Sequence, residues 1–433
     1  MLKRYLYKFK ELELREKILV LFVFSIPFER IPSLDVGGIT LKLSLFLGTA
    51  LIFINLKDIK LNSNKLLEKK LLILPALLLV YSLLSILWAQ DSSAWLKANL
   101  NLGFVVAIFY SLSLSSKKNL QLILKTIFAS SLVVIGFGFF QWFGDLVGLP
   151  ADLTGIREQY DAIRLGLPRM HSVLLEPLYF SLFLLLPLGI SLADRKNELF
   201  KNFYFRLGFI SLIYLSILLS LARGAIVASA VMGLVAIFYN LSELKKLFNV
   251  DIITRLCAAA LVIILVFIGA VSLLGKKGVD EDNNYSKGIG TITGHLKSIR
   301  PWGNEKDAKD ENSLNSRDEA RSEALSLIKR DLRTDLFGVG AGQYGANLEL
   351  KQDSNATSNF VALDVWAQFG LVGLVILTFF GLSLVFGAKL NNPVSFGLVL
   401  YLVGFAIQSI TFGQLAILHL WVGMAMLALV NRD

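Results

Sequence analysis

Long apolar runs, each broken by a short polar connection, recur along the chain. Read with a window of about 19 residues, they predict about twelve membrane-spanning helices, at residues 17–34, 39–56, 71–89, 96–115, 120–147, 172–193, 204–221, 224–242, 252–274, 359–386, 394–412 and 414–430. Such a run crosses a hydrocarbon core about 30 Å thick at about 1.5 Å per helical residue. Barrel strands would be shorter and would alternate polar with apolar positions. The pattern therefore predicts an all-α polytopic membrane protein.

One long polar segment interrupts the pattern late in the chain. It divides the sequence into helices 1–9 over residues 1–274, with a loop at 148–171, then a loop at 275–358, then helices 10–12 over 359–433. Within the long loop, residues 276–312 are polar and Gly-rich, and NSRDEARSEALSLIKRDL (315–332) reads as a helix. Asn315 or Ser316 caps it, acids occupy its first turn, and Lys329, Arg330 and Arg333 lie at its end, as the helix dipole prefers. Ala320, Ala324, Leu327 and Ile328 form an apolar stripe at helical spacing. That stripe is expected on the membrane surface or across the mouth of the bundle. LFGVGAGQYG, which contains Tyr344, then turns the chain, and TSNFVALDVWAQFGLVG returns it to the membrane.

Charge orients the spans. Of the connections taken alternately, one set holds the N-terminal tail, 57–70, Lys117-Lys118, 194–206, 243–255, Lys389 and Arg432, and every member carries Lys or Arg. Most short members of the other set, which includes 35–38, 90–97 and the turn at Gly413, carry little or none. The positive-inside bias makes the first set, with both termini, cytoplasmic. The long loop, the loop 148–171 and the turn at Ala222-Arg223 then share the extracytoplasmic face. The basic, amphipathic N-terminus has no small-residue cleavage site and reads as a cytoplasmic surface segment, not a signal peptide.

The composition is 55% hydrophobic and only 18% charged, as a membrane bundle requires. The net charge of +10 is explained by the loops, and no soluble basic domain exists to bind nucleic acid. Cys257 is the one cysteine, which excludes an intramolecular disulfide and a multi-cysteine metal site. His295 and His419 have no second histidine at ligand spacing, so no zinc site is expected. No glycine-rich nucleotide motif follows a strand.

Candidate chemistry gathers on the outer face. Arg223 separates two apolar spans, where a charge either serves function or snorkels to the interface. Arg157, Arg164, Arg169 and His171 lie just outside the sixth span, and Glu176 and Pro177 lie in its first turns. Glu176 either forms a structural pair with an arginine or takes part in catalysis. Asn359 and Asp364 open the tenth span, where Asp364 either pairs with an outer-face arginine or acts as a base. Guanidinium groups grip phosphate with a fork that lysine lacks. Converging arginines therefore point to a lipid diphosphate, with charge stabilised on it as it leaves.

At these residues the sequence resembles the O-antigen ligase/polymerase family of bacterial envelope proteins. The resemblance rests on RMHSVLLEPLYFSLFL (169–184), LSLARGAIVAS (219–229, with Ala222 where the family has Ser), ALSLIKRDLRTDLFGVGAGQYG (324–345) and SNFVALDVWAQFGLVG (358–373), in that order. It implies a multi-pass protein of the bacterial inner membrane whose active site faces the periplasm. The implied donor is an oligosaccharide on undecaprenyl diphosphate, and the acceptor is a glycan or lipid A core. No cofactor, nucleotide or required metal is implied, and a chain-length regulator is a partner open to it. Arg169 and Arg223 would grip the donor diphosphate while an acceptor hydroxyl displaces it with inversion. Ligases of the family usually carry His before the Asn of the re-entry, where this chain has Ser358 before Asn359. That favours a polymerase over a ligase and leaves the base among His171, Glu176 and Asp364, in that order. A flippase or solute transporter is the alternative from another class.

Overall fold

The computed structural model describes residues 9–29, 33–36, 39–61, 73–161, 167–194, 198–239, 308–348 and 356–432. The helices are α1 (Leu14–Ser25), α2 (Leu43–Leu61), α3 (Leu74–Leu84), α4 (Ser92–Ser113), α5 (Lys117–Leu146), α6 (Pro177–Ala193), α7 (Phe203–Ser220), α8 (Arg223–Tyr239), α9 (Ala308–Ile328), α10 (Leu332–Phe337), α11 (Val361–Phe386), α12 (Pro393–Gln408) and α13 (Leu418–Val430), with a single turn at Ala151–Thr154. Among the described residues, five helices are long and apolar enough to cross a membrane, and five further apolar helices are shorter. The protein is a polytopic membrane bundle. The predicted span 252–274, together with Cys257, Arg164 and His295, lies outside the described residues.

The centre of the bundle is packed through small residues. A Cβ on Gly397 of α12 would press on the backbone of Ile190 in α6, so these helices meet backbone to backbone. Phe109 lies edge-on to Phe380 at 5.3 Å and to Trp421 at 6.3 Å, tying α4, α11 and α13 together.

Side-chain contacts sort the connections to two ends of the bundle. At one end Lys118 Nζ meets Glu16 Oε1 at 2.6 Å, Arg432 Nη1 donates to the Ser113 carbonyl at 3.3 Å, and Tyr239 Oη donates to the Leu390 carbonyl at 2.9 Å. At the other end the loop after α5, the α7–α8 turn, the α9–α11 segment and the turn before α13 meet. These connections divide between the two ends as they alternate in the sequence.

Several elements depart from the sequence-based expectation. The first span stops at Ser25, because Pro27 has no amide to continue the hydrogen-bond ladder and the Ile26 amide closes the end on the Val23 carbonyl. Where that span was expected to end, Ser33–Val36 and Ile39–Lys42 pair as an antiparallel hairpin, with Asp35 opposite Thr40, so the described fold is not wholly helical. The sixth span begins not at 172 but at Pro177. The residues before it form a non-helical insert with Met170, His171, Ser172 and Leu174 buried. Irregular backbone survives in a bundle only where protein satisfies it. Here Gln141 of α5 does so, its Oε1 accepting from the His171 and Ser172 amides at 3.3 and 2.9 Å. Trp142 Nε1 adds a bond to the Pro168 carbonyl at 2.9 Å.

The tenth span is broken at Gly370, whose φ of 64° and ψ of −172° no helix contains. A break there takes the helical donors away from the Ala367 and Gln368 carbonyls. The Val339 and Gly340 amides replace them, each at 2.9 Å. Gly338, at φ 75°, brings its backbone against Gln368 and Gly370, where a Cβ would collide. The Gly-rich turn is thus a clasp on the broken helix. It also holds the α3–α4 corner through buried Gln343, whose Oε1 accepts from the Gln90 and Asp91 amides at 2.9 and 2.8 Å.

The loop helix runs over Ala308–Ile328, earlier than the expected 315–332. Asp331 stops it by capping α10 through the Thr334 amide at 2.7 Å. Its stripe does not lie on the membrane surface. Ala324, Leu327 and Ile328 are buried against Val339, Tyr344, Leu348 and Ala367, so α9 packs on its own turn and on the start of α11.

Candidate functional site

The site is assembled at the end of the bundle where those loops meet. Arg169, on the buried insert, crosses to the turn between α7 and α8. Its Nε donates to the Ser220 carbonyl at 3.2 Å and its Nη2 to the Leu221 carbonyl at 3.4 Å. The neighbouring Met170 amide donates to the Leu219 carbonyl at 3.0 Å. Leu221 adopts φ 52°, a left-handed backbone unusual for a branched side chain. That turn ends α7 at Ser220 and starts α8 at Arg223, with only Leu221 and Ala222 between them. The Arg169 guanidinium also lies over the Tyr160 ring at 5.6 Å.

A third guanidinium arrives from the loop helix. Arg169 interacts electrostatically with Arg223, Arg317 and Glu176, and Arg317 with Arg223, Arg321 and Glu176. Burial, reinforced by Arg223 and Arg317, pulls Arg169 below the usual arginine value, against Tyr160 and Glu176. Burial lowers Arg317 as well, with Arg223 and Arg321 adding to it. Like charges gathered with partial desolvation are costly in isolation, and an anion among them removes that cost. Burial also raises the Tyr160 hydroxyl, with Glu176 contributing.

Arg317 and Arg321 were not singled out from the sequence. Acids surround them in the first turns of the helix, so they read as solvated surface. The available signal was spacing, since residues 317, 321, 324 and 328 share one helical face, the face that turns inward. Arg321 reaches across to the Ile410 carbonyl, 2.6 Å from Nη2, and so fastens the loop helix to the turn after α12.

His171 sits behind the cluster, fully buried. Its Nε2 accepts the Arg157 amide at 3.4 Å, which leaves Nδ1 to donate to the Leu174 carbonyl at 3.3 Å. Arg157 thus enters through its backbone amide and through its charge, which acts on Tyr160 together with that of Arg169. Glu176 occupies the N-cap position of α6 in extended backbone without a side-chain capping bond, half-buried and within electrostatic reach of Arg169 and Arg317.

Asp364, Ser358, Asn359 and Tyr344 form an adjoining group. Asp364 Oδ1 accepts the Ser358 amide at 2.7 Å, and its buried Oδ2 has no hydrogen-bond partner among the described residues. The expected pairing with an outer-face arginine does not form among the described residues. Oδ2 faces Gly413 instead, where a Cβ would collide with it. Asn359 has φ 56°, and Ser358 Oγ donates to the Phe360 carbonyl at 3.1 Å. Tyr344 donates to the Ala320 carbonyl of the loop helix at 3.1 Å, and burial, then Asp364 and Glu323, push its hydroxyl up. The turn after α12 joins the groups. Phe412 lies edge-on to Tyr179 at 5.2 Å, and Thr411 lies against Gly224 beside Arg223.

A guanidinium cluster at one end of a membrane bundle, under a docked loop helix, is the arrangement to compare with known proteins. Residues 207–378 match the O-antigen ligase family (Wzy_C). Enzymes of this family transfer lipid-linked glycans. The matched O-antigen ligase stretch contains Arg223, Arg317, Arg321, Tyr344, Ser358, Asn359 and Asp364, while Arg169 and Glu176 lie before it. No curated protein matches the chain.

Proposed function

We propose that this protein transfers a glycan from a polyprenyl diphosphate, undecaprenyl diphosphate by resemblance, onto an acceptor sugar, and that it polymerises surface-polysaccharide repeat units. The observation that supports the reading is the meeting of Arg169, Arg223 and Arg317, from three separate parts of the chain, at one end of the bundle. About twelve spans with cytoplasmic termini put that end on the periplasmic side. Arg169 and Arg223 hold the donor diphosphate, and Arg317 is added to them. The acceptor hydroxyl attacks the anomeric carbon as the bond to the diphosphate breaks, so configuration inverts and the polyprenyl diphosphate leaves with its charge held by guanidinium. The hydroxyl proton passes to Glu176, which is half-buried beside Arg169 and Arg317. Glu176 thereby replaces His171, whose ring nitrogens face backbone, as the first candidate for the base. Asp364 holds the Ser358 turn, and Arg157 and Tyr344 support the loops.

Ser358 supports the polymerase over the ligase. It is fully buried with its hydroxyl engaged in its own turn, so no base stands where ligases of the family usually carry His.

In a strain lacking the protein, the wild-type chain is expected to restore long-chain surface polysaccharide, and Arg223→Ala and Arg317→Ala are not. Normal long chains from both variants would overturn the reading. Single-unit caps on lipopolysaccharide in the deletion strain indicate a polymerase, and loss of all caps indicates a ligase.

A further inference from the structure

Transfer needs a second substrate, and the arginines account only for the diphosphate. At the same end of the bundle lies a carboxylate that the sequence places inside the first span. Because α1 ends at Ser25, Glu29 instead stands beyond the helix, at the site end of the bundle, with its amide turned back to the Pro27 carbonyl at 3.0 Å. Its Oε2 is buried and has no hydrogen-bond partner among the described residues. A buried carboxylate oxygen without a donor is costly and calls for a group that supplies one. Tyr179, in the first turn of α6, interacts electrostatically with Glu29, Glu176 and Tyr160. Its ring is braced by Phe412 at 5.2 Å.

Glu29 and Glu176 thus both lie within electrostatic reach of one tyrosine hydroxyl, and Glu176 is also within reach of the guanidinium cluster. Lys42 is the cation that acts on Glu29. Sugar hydroxyls donate readily to carboxylates, and sugar C–H faces lie well on aromatic rings.

We infer that Glu29, with Tyr179, binds the acceptor glycan through its hydroxyl groups and orients it toward Glu176. This rests on the transfer reading for its place in catalysis, but the binding itself is separable. Glu29 is a positioning residue for the acceptor, and the diphosphate does not reach it.

The test uses the full-length protein in liposomes and two probes. One is the repeat-unit oligosaccharide freed from its lipid diphosphate by mild acid, and the other is polyprenyl diphosphate without sugar. Glu29→Gln is expected to weaken oligosaccharide binding about tenfold and to leave polyprenyl diphosphate binding unchanged. Arg223→Ala is expected to do the reverse. Tyr179→Phe keeps the ring against Phe412 and removes the hydroxyl. It is expected to weaken oligosaccharide binding alone, and it decides the matter if Glu29→Gln does not fold. Oligosaccharide binding within about twofold of wild type in the folded variant overturns the inference. Diphosphate binding that survives Arg223→Ala sinks the transfer reading instead.

Discussion

Arg169 Nε donates to the Ser220 carbonyl at 3.2 Å, and through that bond the insert before α6 is tied to the turn that presents Arg223. Together with the Leu221 carbonyl it engages the planar fork of a guanidinium, which an ammonium cannot reproduce. Arg169→Lys keeps the charge and loses the fork. The variant is expected to lose about 1–3 kcal/mol of stability and at least about tenfold in transfer rate. Thermal melting in detergent and a transfer assay check both, and a lysine variant equal to wild type in both contradicts the assignment.

His171 distinguishes support from chemistry. Removing its ring strands the Arg157 amide and the Leu174 carbonyl, each a loss of about 1–3 kcal/mol. His171→Ala is therefore expected to melt at a lower temperature while the pH–rate profile of the surviving enzyme keeps its shape. Disappearance of one limb of that profile would show that the imidazole carries a proton in the reaction.

Asp364 predicts a split between two substitutions. Asp364→Asn retains an oxygen for the Ser358 amide, so the turn survives. Asp364→Ala leaves that amide without an acceptor, an expected cost of about 1–3 kcal/mol. Equal melting temperatures for the two would contradict the hydrogen bond. Gly413→Ala, which drives a Cβ into Asp364 Oδ2, is expected to resemble the alanine variant.

Gly370 carries the most severe prediction. Any side chain there meets both an unfavourable backbone conformation and the Leu336 carbonyl. Gly370→Ala is expected to cost more than about 3 kcal/mol and to abolish recovery of monodisperse protein, while Gly381→Ala, with open space around its Cα, is expected to be tolerated. Size-exclusion chromatography after solubilisation checks the pair.

Most of the bundle was legible because apolar runs of spanning length have few other uses. The insert at residues 167–176 was not, since Val173, Leu174 and Leu175 are as apolar as the helix that follows. Its irregular path depends on Gln141, a residue far away in sequence whose amide reads as an ordinary interruption of α5. The break at Gly370 was hidden for the same reason. Phe369-Gly370-Leu371 looks like one more small residue in a membrane helix until the clasp that uses the freed carbonyls is seen. Arg169, Arg223 and Glu176 stood out because charges flanking apolar runs need an explanation. Arg317 escaped because charges in a polar loop need none, and Glu29 because a span drawn by hydropathy ran over Pro27.

The clasp at Val339-Gly340 and the break at Gly370 depend on each other. Without the turn, two carbonyls of α11 lack donors, and without the break, two amides of the turn lack acceptors. Neither half is useful to an ancestor or a chimera that has only the other. Exchange of this assembly between homologous chains should therefore succeed only when residues 336–370 travel as one cassette, and grafts with a junction inside it should fail to mature.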